Sequence, residues 1–87
     1  MMADQGQILR LLRTARGQMD GIIKMVEEDR YCMDIAHQLM ATEAVLNRAN
    51  QEVLTAHLKH CVKTARSEEE REEKIDELVQ VLGKIMK

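Results

Sequence analysis

The stretch YCMDIAHQLMATEAVLNRANQEVLTAHLKHCVKTAR, running from Tyr31 to Arg66, holds neither glycine nor proline, and its reading decides the fold. Cys32, Leu39, Leu46, Val53 and His60 recur every seven residues, while Ile35, Thr42, Ala49 and Ala56 fill the intervening positions. This heptad pattern predicts one unbroken helix over about 31–66, roughly 50 Å long. Thr42, Ala49 and Ala56 are too small or too polar for a strong coiled-coil seam. They suit close approach of a second helix instead.

Both ends of this rod carry soft donors. His57 and Cys61, spaced i and i+4, share one helical face. Such a pair alone is more often core packing with a polar tip than a metal site. Cys32 at the other end changes the balance. It stands 25 residues before His57, or about 37 Å along a continuous helix, so the three groups cannot meet within one protomer. An antiparallel partner helix brings Cys32 of one chain opposite His57 and Cys61 of the other. The same dimer would supply the core that a small amphipathic chain needs. Two thiolates and an imidazole suit Cu(I) or Zn(II), and three ligands favour Cu(I), because structural zinc normally takes four. His60 reads as a surface or seam residue, and His37 has no assigned role.

Working outward, Ile8, Leu11, Leu12, Ala15, Met19, Ile22, Ile23 and Val26 recur at helical spacing and predict a first helix over about 5–28. Gly17 and Gly21 interrupt it, implying close approach of another helix to the backbone. The charged run Glu27-Glu28-Asp29-Arg30 places the turn, with Asp29 as the expected N-cap of the long helix. On the other side, Ser67-Glu68-Glu69-Glu70 reads as a capping box, the sharpest boundary in the chain. A third helix follows over about 68–86, with Ile75, Leu78, Val79, Leu82 and Ile85 on one face and Lys84 and Lys87 near its end.

The fold class is therefore all-α, a three-helix protomer in a single domain over residues 1–87. Composition agrees: among 87 residues there is no proline, tryptophan or phenylalanine, and Tyr31 is the lone aromatic. No apolar run approaches the ~20 residues of a membrane span, and the polar start lacks the order of a secretory signal, so a cytoplasmic location is the expectation. In a reducing compartment two cysteines favour ligands or redox centres over a disulfide. An enzyme is the least favoured class, since no nucleophile, acid and base converge. The net charge of −2 hides an asymmetry. Residues 1–24 hold four bases against two acids, and residues 67–87 seven acids against four bases. A basic end can dock on a polyanion despite the overall sign.

The run Arg16-Gly17-Gln18, then Gly21 through Cys32, together with His57-Leu58-Lys59-His60-Cys61-Val62, resembles the copper-sensitive operon repressor (CsoR) family of small helical DNA-binding regulators. The resemblance spans nearly the whole chain. It implies that Cys32, His57 and Cys61 are Cu(I) ligands, that the protomers form a homodimer and then a homotetramer, and that Tyr31 and Glu77 support the site by orienting the metal-bound imidazole. It also implies a repressor of copper-resistance genes that holds operator DNA when metal-free and releases it on Cu(I) binding. Relatives sensing nickel or cobalt generally carry a histidine near the N-terminus, whereas this chain has none before His37. Persulfide sensors resemble it in both cysteines but lack the histidine at position 57, which leaves a persulfide or thiol redox repressor as the alternative.

No standard helix-turn-helix pattern is visible, so the DNA surface is read from charge. Arg10, Arg13 and Arg16 lie broadly on one side of the first helix, and Arg48 projects from the middle of the second. A symmetric tetramer would display each four times. The resemblance places Gln38 and Arg48 among interface or DNA-facing groups. Leu11 stands where relatives often have a basic residue, with Arg10 beside it.

Overall fold

Three of the helix boundaries have a local chemical cause: the start and end of α1 and the start of α3. The computed structural model describes residues 1–85, of Ile85 the backbone only, and contains α1 (Gln5–Glu27), α2 (Cys32–Thr64) and α3 (Glu68–Ile85). Met86 and Lys87, which include the expected end of the third helix, lie outside the described residues. Asp4 caps α1: its carboxylate accepts hydrogen bonds from the N–H groups of Gly6 (3.0 Å) and Gln7 (3.3 Å). Ser67 opens α3, its hydroxyl accepting from the Glu70 N–H at 3.1 Å. The Glu70 carboxylate reaches back to the N–H of Arg66, one residue earlier than a standard capping box would have it.

Asp29 does not cap α2. It closes α1 instead, adopting the left-handed conformation with φ 53°, while the Asp29 N–H donates to Val26 C=O and the Arg30 N–H to Met25 C=O. Those two bonds define a Schellman motif with aspartate where glycine is usual. The N-cap of α2 is Tyr31, whose side chain makes no capping bond.

α1 lies antiparallel along α2. Gln7 Nε2 donates to Glu52 Oε1 (3.2 Å) near one end of the contact and Thr42 Oγ1 to Gln18 Oε1 (3.0 Å) near the other. Between them Ile8, Leu11, Ala15 and Ile22 are buried against a seam built on Thr42 and Ala49. The small residues of the long helix thus receive α1. The apolar set of α1 divides in two, for Leu12, Met19, Ile23 and Val26 remain exposed. Gly17 and Gly21 face away from α2, and a Cβ added at either meets nothing within 4 Å. The close helix approach expected there is absent within the protomer.

α3 folds back along α2 and buries Leu78 beside Leu54 and Leu58. Ile75, Val79 and Leu82 stay partly exposed. Around the α2 axis, Thr42 and Ala49 stand roughly 160° from Leu54 and Leu58 at about 100° per residue, so α1 and α3 occupy opposite flanks. Among the described residues α1 and α3 do not touch. The result is a plate of 56 × 28 × 12 Å. Its thickness is that of one helix. No large side chain is fully buried among the described residues. The radius of gyration, 17.1 Å, exceeds the roughly 12 Å of a close-packed domain of this length.

Candidate functional site

A plate one helix thick has two broad faces, and α2 contributes to both. At about 100° per residue, Cys32, Leu39, Leu46, His57 and Cys61 fall within about 60° of arc. Leu39 and Leu46 are 51% and 42% exposed. This face therefore presents donors at both ends of an apolar row. Arg48 lies on the other broad face, about 160° round from Cys32.

The structure brings two of the three expected ligands together. Cys61 Sγ and His57 Nε2 stand 3.5 Å apart, one turn from each other on α2. Cys61 is buried, and His57 is partly so. Donors to one ion, at about 2.3 Å for sulfur and 2.0 Å for nitrogen, can stand at most ~4.3 Å apart, so the pair fits a shared soft cation. Cys32 is at the opposite end of α2 and exposed. Among the described residues no single-chain group of three His, Cys, Asp or Glu side chains is placed to hold a metal. That separation is what a continuous α2 demands.

Tyr31 and Glu77 are not brought to the pair within the protomer. Tyr31 is 68% exposed beside Cys32, and Glu77 makes a solvent-exposed contact of 4.0 Å with Lys74 on its own helix. Arg10 and Arg48 do converge: both line one shallow hollow with Leu11, Thr14, Ala44 and Val45. Arg10 is tethered through a hydrogen bond to the Gln7 side-chain carbonyl. Arg13 and Arg16 separate from them and border a hollow with Leu9 and Leu12. The four arginines form two groups because Arg10 and Arg16, six residues apart, stand about 120° apart round α1, so that Arg10 borders the Arg48 hollow and Arg16 the one with Leu9 and Leu12. Gln38 is exposed, and its backbone carbonyl accepts from Thr42.

Two cationic residues that charge counting passed over join the Arg48 face. Lys59 shares a hollow with Arg48, and Lys63 shares the next one with Lys59 and His60. Their signal was available as the spacing from Arg48, which keeps all three on one side of α2. No helix among the described residues is long and apolar enough to cross a membrane.

An all-α plate with soft donors at both ends of its central helix, and with Arg10 and Arg48 on the opposite broad face, defines a class of small three-helix proteins. The chain belongs to the metal-sensitive transcriptional repressor family, whose profile matches residues 4–84. It is 45% identical over 71 residues to the copper-sensing transcriptional repressor CsoR of Mycobacterium ulcerans (strain Agy99), covering 82% of this chain and 61% of that protein. To the copper-sensing repressor CsoR of Bacillus subtilis (strain 168) it is 38% identical over 84 residues, covering 97% and 83%. The chain thus spans less than two thirds of its mycobacterial relative's length. In structure it matches the copper-sensing repressor CsoR with Cu(I) from Geobacillus thermodenitrificans NG80-2 with a TM-score of 0.78 at 36% identity, covering 94% of this chain and 85% of that one. The nickel-responsive regulator InrS superposes equally well, TM-score 0.78, at 25% identity and covering 98% and 96%. Fold alone therefore does not separate copper from nickel sensing.

Proposed function

We propose that this chain is a Cu(I)-responsive repressor that binds operator DNA in its metal-free form and releases it when Cu(I) binds, derepressing copper-resistance genes. The observation that carries the reading is the 3.5 Å approach of the Cys61 thiol and the His57 imidazole, on the broad face whose far end holds Cys32. Cys61 and His57 of one protomer and Cys32 of its antiparallel partner would hold the ion. As a soft Lewis acid, Cu(I) held by these thiolates and the imidazole would link the two rods. A two-fold axis that sets Cys32 against the 57–61 turn crosses α2 near Leu46 and faces Leu39 toward the partner's Val53. The exposed apolar row then becomes the dimer core. Tyr31 and Glu77 would reach the imidazole only in that assembly, where one of them could fix its tautomer. Arg10 and Arg48, with Arg13 and Arg16 on the flank, would meet phosphates, and copies in a tetramer would add their charge.

Repression and release are linked equilibria. Coupling of about 1–3 kcal/mol, or roughly 5–150-fold in affinity, is typical and reciprocal. The test is fluorescence anisotropy of reduced, metal-free protein on duplexes that it selects from genomic fragments, repeated with one Cu(I) per protomer. A fall in affinity within that range is expected, and equal affinities would remove the sensor reading. The redox alternative leaves His57 without a task, although it stands beside the buried thiol. His57→Ala should therefore abolish the copper response; retention of that response, with a Cys32 to Cys61 bridge on non-reducing gels, would favour the thiol switch.

A further inference from the structure

The last turns of α2 overhang α1. α1 begins at Gln5, and beyond it only the N-terminal residues Met2 to Asp4 lie beside α2, in hollows that reach Lys59 and Lys63. On this overhang two chemistries occupy opposite sides. At about 100° per residue, Lys59 and Lys63 stand roughly 120–160° from His57 and Cys61, yet within about 60° of Arg48. Both lysines are exposed. Neither is paired with a carboxylate among the described residues.

Three adjoining hollows follow this side of the plate. The first is shared by Arg10 and Arg48, the second by Arg48 and Lys59, the third by Lys59, His60 and Lys63. Two acids, Asp4 and Glu52, border the second. Both are engaged already, Asp4 by the α1 N-terminus and Glu52 by Gln7. Four cations on this track thus outnumber two hydrogen-bonded carboxylates. From Arg48 to Lys63 the row runs about 22 Å, long enough to follow several phosphates of a duplex.

We propose that Lys59 and Lys63 bind phosphates of duplex DNA, extending the Arg10–Arg48 surface along the overhanging end of α2. The proposal rests on the repressor reading above and adds residues and extent to it. Long flexible ammonium groups at the plate's rim contact backbone rather than bases, so their contribution is independent of sequence.

The test uses the metal-free full chain on its selected duplex and on a mixed-sequence duplex across a salt series. Lys59→Gln with Lys63→Gln should weaken both complexes by a similar factor, tenfold or more, and flatten log K against log salt by about 0.9 for each phosphate left without its cation. Lys59→Arg with Lys63→Arg should restore affinity. The ligands lie on the other side, so unchanged helicity and Cu(I) stoichiometry certify the variants. A second measurement needs no variant: bound duplex should protect Lys59 and Lys63 of the wild-type protein from acetylation. Unaltered affinity and slope in the folded glutamine variant, while Arg48→Gln weakens binding, overturns the extension and leaves the repressor reading standing. Equal acetylation with and without bound duplex overturns it likewise. Failure of the wild type to bind either duplex would instead remove the underlying reading.

Discussion

Asp29 shows how much one backbone angle decides. An L side chain in the left-handed region costs about 1–2 kcal/mol relative to the right-handed one, and glycine avoids most of that. Asp29→Gly should therefore raise stability by up to about 1 kcal/mol, less what glycine adds to the unfolded chain's freedom. Urea midpoints at one fixed protein concentration would check it, and a lower midpoint would contradict the Schellman closure. Cys32 presents the opposite case, an exposed thiol with no packing role in the protomer. Cys32→Ser should leave metal-free DNA affinity within about twofold of wild type and erase the copper effect, because surface changes are usually worth ±0.5 kcal/mol. Anisotropy with and without Cu(I) measures both. Loss of DNA binding itself would make this cysteine structural.

Between elements, the α1–α2 seam rests on smallness. Ala49 is 5% exposed beneath α1, and Thr42 is equally buried, its hydroxyl held between Gln18 and the Gln38 carbonyl. Ala49→Leu forces the helices apart and should cost about 1–3 kcal/mol in urea titration. A neutral result would mean that the seam is looser than its burial implies. The cap at Asp4 acts on the same pair. Asp4→Ala frees two N–H groups and should cost about 0.5–2 kcal/mol, with fraying of the turn that precedes Arg10. Hydrogen exchange at Gly6 and Gln7 would rise first.

At the scale of the molecule, a plate 12 Å thick has flanks but no interior. Leu12, Met19, Ile23, Leu39 and Leu46 are all more than two-fifths exposed, and exposed apolar groups of this kind mark interaction surfaces when they are contiguous. In the proposed antiparallel dimer a second copy would cover this row, and Leu46, near the two-fold axis, would be its most sensitive point. Leu46→Glu places a carboxylate against its own copy, so sedimentation should show a shift to smaller species and Cu(I) should bind more weakly. Unchanged mass would put the apolar row outside the assembly.

Much of this was legible in the chain itself. Helical periodicity is a local property, so three helices, the Ser67 boundary and the shared face of His57 and Cys61 follow from residue order alone. The 25-residue interval to Cys32 likewise excludes a single-chain site, because helix rise is fixed. Tertiary structure decided what periodicity cannot encode. An α1 apolar on more than one side, as its adjacent pairs Leu11-Leu12 and Ile22-Ile23 make it, does not say which side meets its own α2. The structure assigns Ile8, Leu11, Ala15 and Ile22 to that contact. The left-handed angle at Asp29 arises from how the chain must reverse, which the residue type does not announce. The basic track was legible only in part: Arg48, Lys59 and Lys63 share one side of α2 by spacing alone, whereas Arg10, from another helix, joins them only once α1 is laid antiparallel on α2. Residue order settles which groups share one helix face; only packing settles which faces of different helices meet, since that choice depends on the shape and polarity of both surfaces at once.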